Sequence, residues 1–473
     1  MRSSTTDMTK GDPVRLIIRF AIPALIGNIF QQIYNIADSA IVGRFVGPDA
    51  LAAVGATASV TFLFFALCNG IGSGGGIVVS QLYGSHDDDK AKNCIVNTGF
   101  IMLLVPLFFG TVGFITAPSL LRILNTPEEI VADAAMYIRY MCVGLLFVSL
   151  YNYLSSMLQA LGDSRSPLYF LIVSTIINVV LDIVFVYFLE MGIKGAALAT
   201  VIAQFISVLS CGVYAYRVNP FFRLKKKDFV ITAQMCGRII RLGVPMSLQF
   251  ALIAVSSMAL QTVVNGYGTV AVAAFTATNR IEQLIHQPYN TLGLSLSTFC
   301  GQNFGAGQYE RVYTGYKKGM QIMFVLTLGM MFMMQLFGGV ITSLFVTDEA
   351  VIELGALGLR ITSLFYLALG MIYVVRGVLT GVGDAFFALF NGIVEVIGRF
   401  TVPVLMTACL GFGETGIWIS SGLVWLLSGV TAWMRYYAQL HRESGILHPC
   451  LEHKSVNKGV TVQRFMTAGR NHI

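Results

Sequence analysis

From Arg15 to Leu440 the chain is a succession of long apolar runs, broken by short clusters of glycine, proline and charge. Each run reaches about 20 residues or more, enough for a helix to cross a hydrocarbon core of about 30 Å. Apolar residues are continuous rather than alternating, which excludes a β-barrel. In lipid the main-chain polar groups must then be satisfied within each segment, as in a helix. Breaking the chain at its Gly, Pro and charge clusters predicts twelve helices. They run over about 14–43, 50–80, 93–117, 131–160, 167–189 and 195–217, then about 239–264, 270–299, 313–345, 351–381, 385–410 and 414–440.

A shift of 221 residues superposes the two halves of this pattern: Gln81 and Gly84 fall on Gln302 and Gly305, Gly162-Asp163 on Gly383-Asp384, and Gly192 and Gly195 on Gly413 and Gly416. Near the start the shift is 222, taking Pro23 to Pro245. Six spans per half is an even number, so both halves enter the membrane from the same side. The expected fold is an all-α polytopic membrane protein with twelve transmembrane helices in two six-helix bundles, related by a parallel pseudo-two-fold repeat. The expected divisions are an N-terminal segment 1–13, a first bundle 14–217, a basic linker 218–238, a second bundle 239–440 and a tail 441–473.

Of the 473 residues, 55% are hydrophobic and only 12% charged, against about 25% charged in a soluble domain. The net charge of +7 does not point to nucleic acid, because the basic residues are sorted by side. Arg217, Arg223, Lys225, Lys226, Lys227, Arg238 and Arg241 cluster around the linker, whereas the opposite loops hold Arg44, Arg122 and Lys194. The excess of positive charge on cytoplasmic loops places both termini in the cytoplasm of a multi-pass cell-membrane protein. The eight cysteines form no CxxC pair, which argues against a disulfide framework or a zinc site. The start of the chain is polar and has no cleavable signal pattern.

Against this background four acids stand within apolar segments: Asp38, Asp182, Glu282 and Glu395. A charge at the bilayer centre costs roughly 2.5–3.5 kcal/mol on insertion scales, so each needs a reason. Glu395 and Arg399 are four apart and most simply neutralise each other while supporting the cavity; Glu282 has Arg280 close by. Asp38 and Asp182 lack such a base. Asn178 shares a helix face with Asp182. Both aspartates fall past mid-depth and can meet, giving two carboxylates and an amide suited to a hard cation or a shared proton. Gln31, on one face of helix one below Asp38, and Asn152 are read as polar lining of a substrate cavity. Pro23 lies inside helix one, where a proline removes a hydrogen bond and allows a kink.

Two motifs are decoys. Gly70-Ile-Gly72-Ser-Gly74-Gly75 matches GxGxxG but sits in an apolar helix with no strand before it, so close helix packing is the better reading. Gly381-Val-Gly383-Asp384 has the form of an intramembrane protease box, but the repeat puts a Gly-Asp at the same turn of the other half. No GxxxxGK[ST] motif is present, so ATP is not the fuel. The run 330–334, Met-Met-Phe-Met-Met, is expected to be lipid-facing or core.

Together these segments resemble the bacterial multidrug and toxic compound extrusion (MATE) transporters. The resemblance rests on Ile22-Pro23, Asn35-Ile-Ala-Asp38, Gln81-Leu-Tyr-Gly84, Leu161-Gly-Asp163, Asn178-Val-Val-Leu-Asp182 and the second copies Gly301-Gln302-Asn-Phe-Gly305 and Gly383-Asp384, and covers about 12–440. It implies two bundles forming a V around a central cleft, with alternating access. It implies export of amphipathic, often cationic organic compounds driven by inward H+ or Na+. It further implies that Asp38, Asn178 and Asp182 bind the coupling ion, with Thr200 and the Ala196 carbonyl contributing. Pro23, fifteen residues before Asp38, would be a hinge. Some members carry acids in helices seven and ten; here 245–265 and 361–383 contain none, so coupling should sit in the N-terminal half. The expected partners are small organic molecules and membrane lipid, with no nucleic acid, no ATP and no cofactor beyond the ion, in a monomer that is not an enzyme. The competing readings are a flippase for lipid-linked saccharides, an intramembrane hydrolase using Asp384, and a channel.

Overall fold

The computed structural model describes residues 5–440 other than 47, 124, 125 and 127. The side chains of 34–45, 48–53, 56, 58, 59, 254, 439 and 440 lie outside that description. The expected tail 441–473 and residues 1–4 also lie outside it.

Among the described residues the fold is helical throughout, with no strand. The first half contributes α1 (Pro13–Phe45), α2 (Pro48–Gly84), α3 (Asp88–Ile123), α4 (Glu128–Ala160), α5 (Arg165–Asp182) and α6 (Ile193–Val218). The second contributes α7 (Ala233–Val264), α8 (Gly268–Gly305), α9 (Tyr309–Ser343), α10 (Glu349–Ser363), α11 (Tyr366–Val382), α12 (Ala385–Val404) and α13 (Thr415–Leu440). Helices α10 and α11 are the two parts of one crossing, bent by 52°. Counting them together, and separating α7 from α8 at the turn Asn265–Tyr267, gives the twelve crossings expected from the hydrophobic pattern.

Helix ends fall where capping residues stand. Asp348 accepts from the Val351 N–H at 3.1 Å, and Thr232 from that of Met235 at 3.3 Å, each satisfying an orphan donor of the first turn. Three departures from simple helices were not visible in the pattern. At Thr362–Phe365 the ladder switches to i→i−3 bonds (Leu364 to Ile361, Phe365 to Thr362), which breaks the tenth crossing; Gly422 of α13 leaves the space that the Phe365 ring fills. After Asp182 and after Val404 the chain widens into π-helix, Ile183–Phe188 and Leu405–Cys409. These two segments occupy repeat-related positions and follow α5 and α12 respectively. Such widened turns are rare and frequently mark functional regions.

The halves meet through α1 and α2 on one side and α7 and α8 on the other. Small residues make the crossing possible. A Cβ on Gly74 would stand 2.5 Å from the Gly243 nitrogen, and one on Gly70 would overlap Ser247, so the GxGxxG run is a packing surface of α2 against α7. In the 330–334 run, Phe332 is exposed while Met334 lies in the core of the second half.

Candidate functional site

Between the halves lies a cavity of about 340 Å³, walled by α1, α2, α4 and α5 from the first half and α7, α8 and α11 from the second. Its surface is unusually polar for a membrane interior. Seven amides face it: Asn28, Gln31, Asn69, Asn152, Gln159, Gln249 and Asn290. Hydroxyls such as Ser73, Ser155, Ser156 and Tyr373 fill the spaces between them, and Met246 and Phe250 supply apolar patches. Pro23, Gln31 and Asn152 therefore line the cavity, on α1 and α4. The one charged residue among its described walls is Arg376 of α11, which the sequence did not single out. Its only signal there was an arginine within an otherwise apolar run.

On the face that carries the basic linker, the cavity is closed one turn beyond its lining. There Gln81 of α2 donates to the Gly381 carbonyl at 2.9 Å and accepts from Arg238 at 2.8 Å. Residues 6–11 run across the same end as a strap. The Met8 N–H donates to Gln302 at 2.8 Å, and the Met8 carbonyl accepts from Asn303 and Arg311, both at 3.1 Å. Thr6 meanwhile donates to the Leu161 carbonyl of the first half at 3.3 Å, so the strap ties the two halves together.

Asn178, Asp182, Thr200 and Ala196 form a second centre, between α5 and α6. Asp182 and Asn178 are 0% and 1% exposed. With its nitrogen turned to Asp182, the Asn178 amide donates to Oδ2 at 2.9 Å while its oxygen accepts from the Thr200 N–H at 3.2 Å. The Thr200 hydroxyl donates to the Ala196 carbonyl at 3.1 Å. The helical spacing of Asn178 and Asp182 put both on one face, and the first turns of α6 supply the rest. The Asp38 side chain lies outside the described residues, so its meeting with Asp182 stays an expectation; its backbone is part of α1.

The acids of the second half depart from their expected pairings. No ion pair joins Glu395 to Arg399, or Glu282 to Arg280, among the described residues. A shared helix face sets direction but not contact. Arg399 Nε and Glu282 Oε1 are both buried without a hydrogen bond, and Glu282 of α8 lies in the field of Arg399 of α12, across the bundle. Glu395 is buried at 8% exposure near Tyr373. Neither Glu395 nor Arg399 lines the central cavity, which corrects the expectation that they support it directly.

The Gly-Asp decoys are turns. Gly162 and Gly383 have φ of +83° and +100°, where a side chain would be strained. Asp163 accepts from the Ser166 N–H at 3.0 Å, and Asp384 accepts from Phe387 at 3.4 Å and pairs with Arg435 at 2.8 Å. Each holds a helix start, Asp163 that of α5 and Asp384 that of α12.

Two repeated six-span halves around a polar cavity, with a buried carboxylate set to one side, define a membrane protein that holds a small molecule between its halves. The comparisons agree with that class. A family model described as MatE matches residues 23–184 and again 245–408, in register with the internal repeat. The probable multidrug resistance protein YpnP of Bacillus subtilis (strain 168) is 31% identical over 437 residues, covering 91% of this chain and 96% of YpnP. The multidrug export protein MepA of Staphylococcus aureus (strain NCTC 8325 / PS 47) is 24% identical over 417 residues, covering 86% and 90%. A crystal structure of a MATE protein in the bent conformation superposes with a TM-score of 0.86 at 24% identity, over 92% of this chain and 98% of that one. The chain belongs to the MatE family of efflux transporters.

Proposed function

We propose that the chain is a secondary antiporter that exports amphipathic organic compounds from the cytoplasm by alternating access, driven by inward flow of H+ or Na+. The observation that carries this reading is the pairing of a polar cavity between the halves with a fully buried carboxylate, Asp182, outside the cavity wall. The multidrug export named for MepA supports the substrate side. A buried Asp bonded to an amide can take up a proton, or with the Asn178 and Ala196 oxygens offer hard ligands to Na+. This reading takes Asp38 as the second coupling carboxylate. The linker face is cytoplasmic, following the positive charges of 217–241, and the protein resides in the cell membrane. A flippase for lipid-linked saccharides is less well supported, because one arginine alone lines the described walls of the cavity.

The test is efflux of a fluorescent organic dye from inverted membrane vesicles under an imposed pH gradient and, separately, a Na+ gradient. Wild type is compared with Asp38→Asn and Asp182→Asn. Transport that follows one gradient and collapses in both variants supports the antiporter and names its ion. Undiminished gradient-driven transport in both variants removes these carboxylates from the mechanism.

A further inference from the structure

Arg376 sits where an unpaired charge is hard to sustain. It stands six residues before the end of α11 at Val382, half-buried on the wall of the central cavity. An ionisable residue inside the membrane that faces a cavity is by default a functional residue. It forms no ion pair among the described residues, and no carboxylate lines the described cavity beside it. Its guanidinium lies over the ring of Tyr373, 4.6 Å from the centroid, one turn earlier on the same helix. A cation–π contact of this kind steadies the charge through the flat face of the guanidinium, and the Tyr373 hydroxyl is near enough to take one edge donor; an arginine carries five, so the fork keeps donors for a ligand. Tyr373 is itself held: its hydroxyl is 3.2 Å from His286 Nδ1, and the His286 ring packs edge-on against Trp425. The result is a braced arginine on a cavity wall otherwise lined by uncharged groups; Glu395, near Tyr373, is not part of that lining.

That combination selects by charge. Amides and hydroxyls can match hydroxyl, carbonyl or amine groups of many shapes, because each offers donors or acceptors without a net charge. The single fixed positive charge adds a preference. An arginine fork pairs bidentately with a carboxylate or a related oxyanion, and it repels a cation held in the same low-dielectric space. We propose that this cavity binds organic anions or zwitterions through a carboxylate-type group at Arg376, and discriminates against lipophilic cations that lack one. The proposal rests on the cavity being the substrate path, and it replaces the expectation of a mainly cationic cargo with one that must carry an acid group.

The experiment uses a matched pair of probes on the purified full-length protein in lipid nanodiscs. One is a fluorescent fluoroquinolone carboxylic acid; the other is its ethyl ester, which keeps the ring system and amine but loses the anion. Binding is read by fluorescence anisotropy for wild type, Arg376→Gln and Arg376→Lys. The acid should bind wild type about tenfold or more tighter than the ester, the range expected for losing a charge-assisted contact. Arg376→Gln should abolish that ratio, and Arg376→Lys should retain part of it. Equal binding of acid and ester by wild type overturns the proposal, and does so even if the Arg376→Gln protein fails to fold. An unchanged acid-to-ester ratio in Arg376→Gln also overturns it. If the vesicle assay shows gradient-driven efflux while the acid has no advantage over the ester, this inference fails and the antiporter reading stands. If no efflux is seen yet the acid preference is present and depends on Arg376, the binding assignment holds and the transport reading fails.

Discussion

Gly84, at the end of α2, lies directly against the main-chain carbonyl of Gln302 in α8, and its repeat counterpart Gly305 lies against the carbonyl of Gln81. The two copies of one short motif thus pack on each other across the pseudo-two-fold axis, at the closed end of the cavity. A Cβ at either position would overlap backbone, which has no side-chain rotamer to yield. Gly84→Ala and Gly305→Ala should each force α2 and α8 apart, at about 1–3 kcal/mol of overpacking. The double variant should cost less than the sum of the singles, since both relieve the same crossing. Thermal unfolding in detergent measures this; two fully additive effects would mean that the contacts are independent.

The strap 6–11 should act as a latch on the same end. Met8 is 1% exposed and bonded to both Gln302 and Asn303. Met8→Ala should loosen the latch and raise hydrogen exchange over residues 299–305 by tenfold or more, the scale of about 1.4 kcal/mol. Unchanged protection there would show that the helices close this end without the strap.

Asp7 makes the latch pH-dependent. Partial burial works against its charge, but the Thr9 hydroxyl and N–H, with Lys10 and His86 nearby, outweigh this and hold its carboxyl below the usual range. A carboxylate whose folded pKa is lowered stabilises the folded state above its unfolded pKa and loses that contribution as pH falls through the folded one. Protection of residues 6–11 should therefore be full at neutral pH and decline in acid below the ordinary carboxylate range. In Asp7→Asn it should be lower at neutral pH and independent of pH across that window.

Asn178 should be required by Asp182. Asn178→Ala removes a donor 2.9 Å from a fully buried carboxylate, which is expected to cost about 1–3 kcal/mol and to weaken ion-driven transport. Thr200→Val, which keeps shape but deletes the hydroxyl bonded to Ala196, should impair transport less. The check is the gradient dependence of efflux in each variant; normal coupling in Asn178→Ala would detach the amide from the mechanism.

Pro23 lies within α1 and on the cavity wall. If α1 bends there when Asp38 changes its protonation, Pro23→Ala should restore a helix hydrogen bond, stiffen α1 and reduce transport. Normal transport by Pro23→Ala, measured in the same vesicles, would place the moving element elsewhere.

Much of the architecture was legible in the chain because lipid leaves few options. Length of apolar runs, the period of the repeat and the sorting of positive charge are local properties, and they sufficed for twelve crossings, two halves and the identity of the decoy motifs. Helical spacing likewise placed Asn178 beside Asp182, since residues four apart share a face whatever surrounds them. What tertiary structure alone decided are relations between distant segments. The motif Gln81–Gly84 could be read as repeated, but not as packed on its own second copy, because that depends on how α2 crosses α8. Glu395 and Arg399 shared a face, yet no ion pair joins them among the described residues, because spacing along a helix sets direction and not side-chain contact. Arg376 was one basic residue in an apolar run until folding set it over Tyr373, on a cavity wall whose described lining holds no carboxylate. Periodicity is written along one helix; the polarity of a cavity is the sum of seven, and only their packing adds it up.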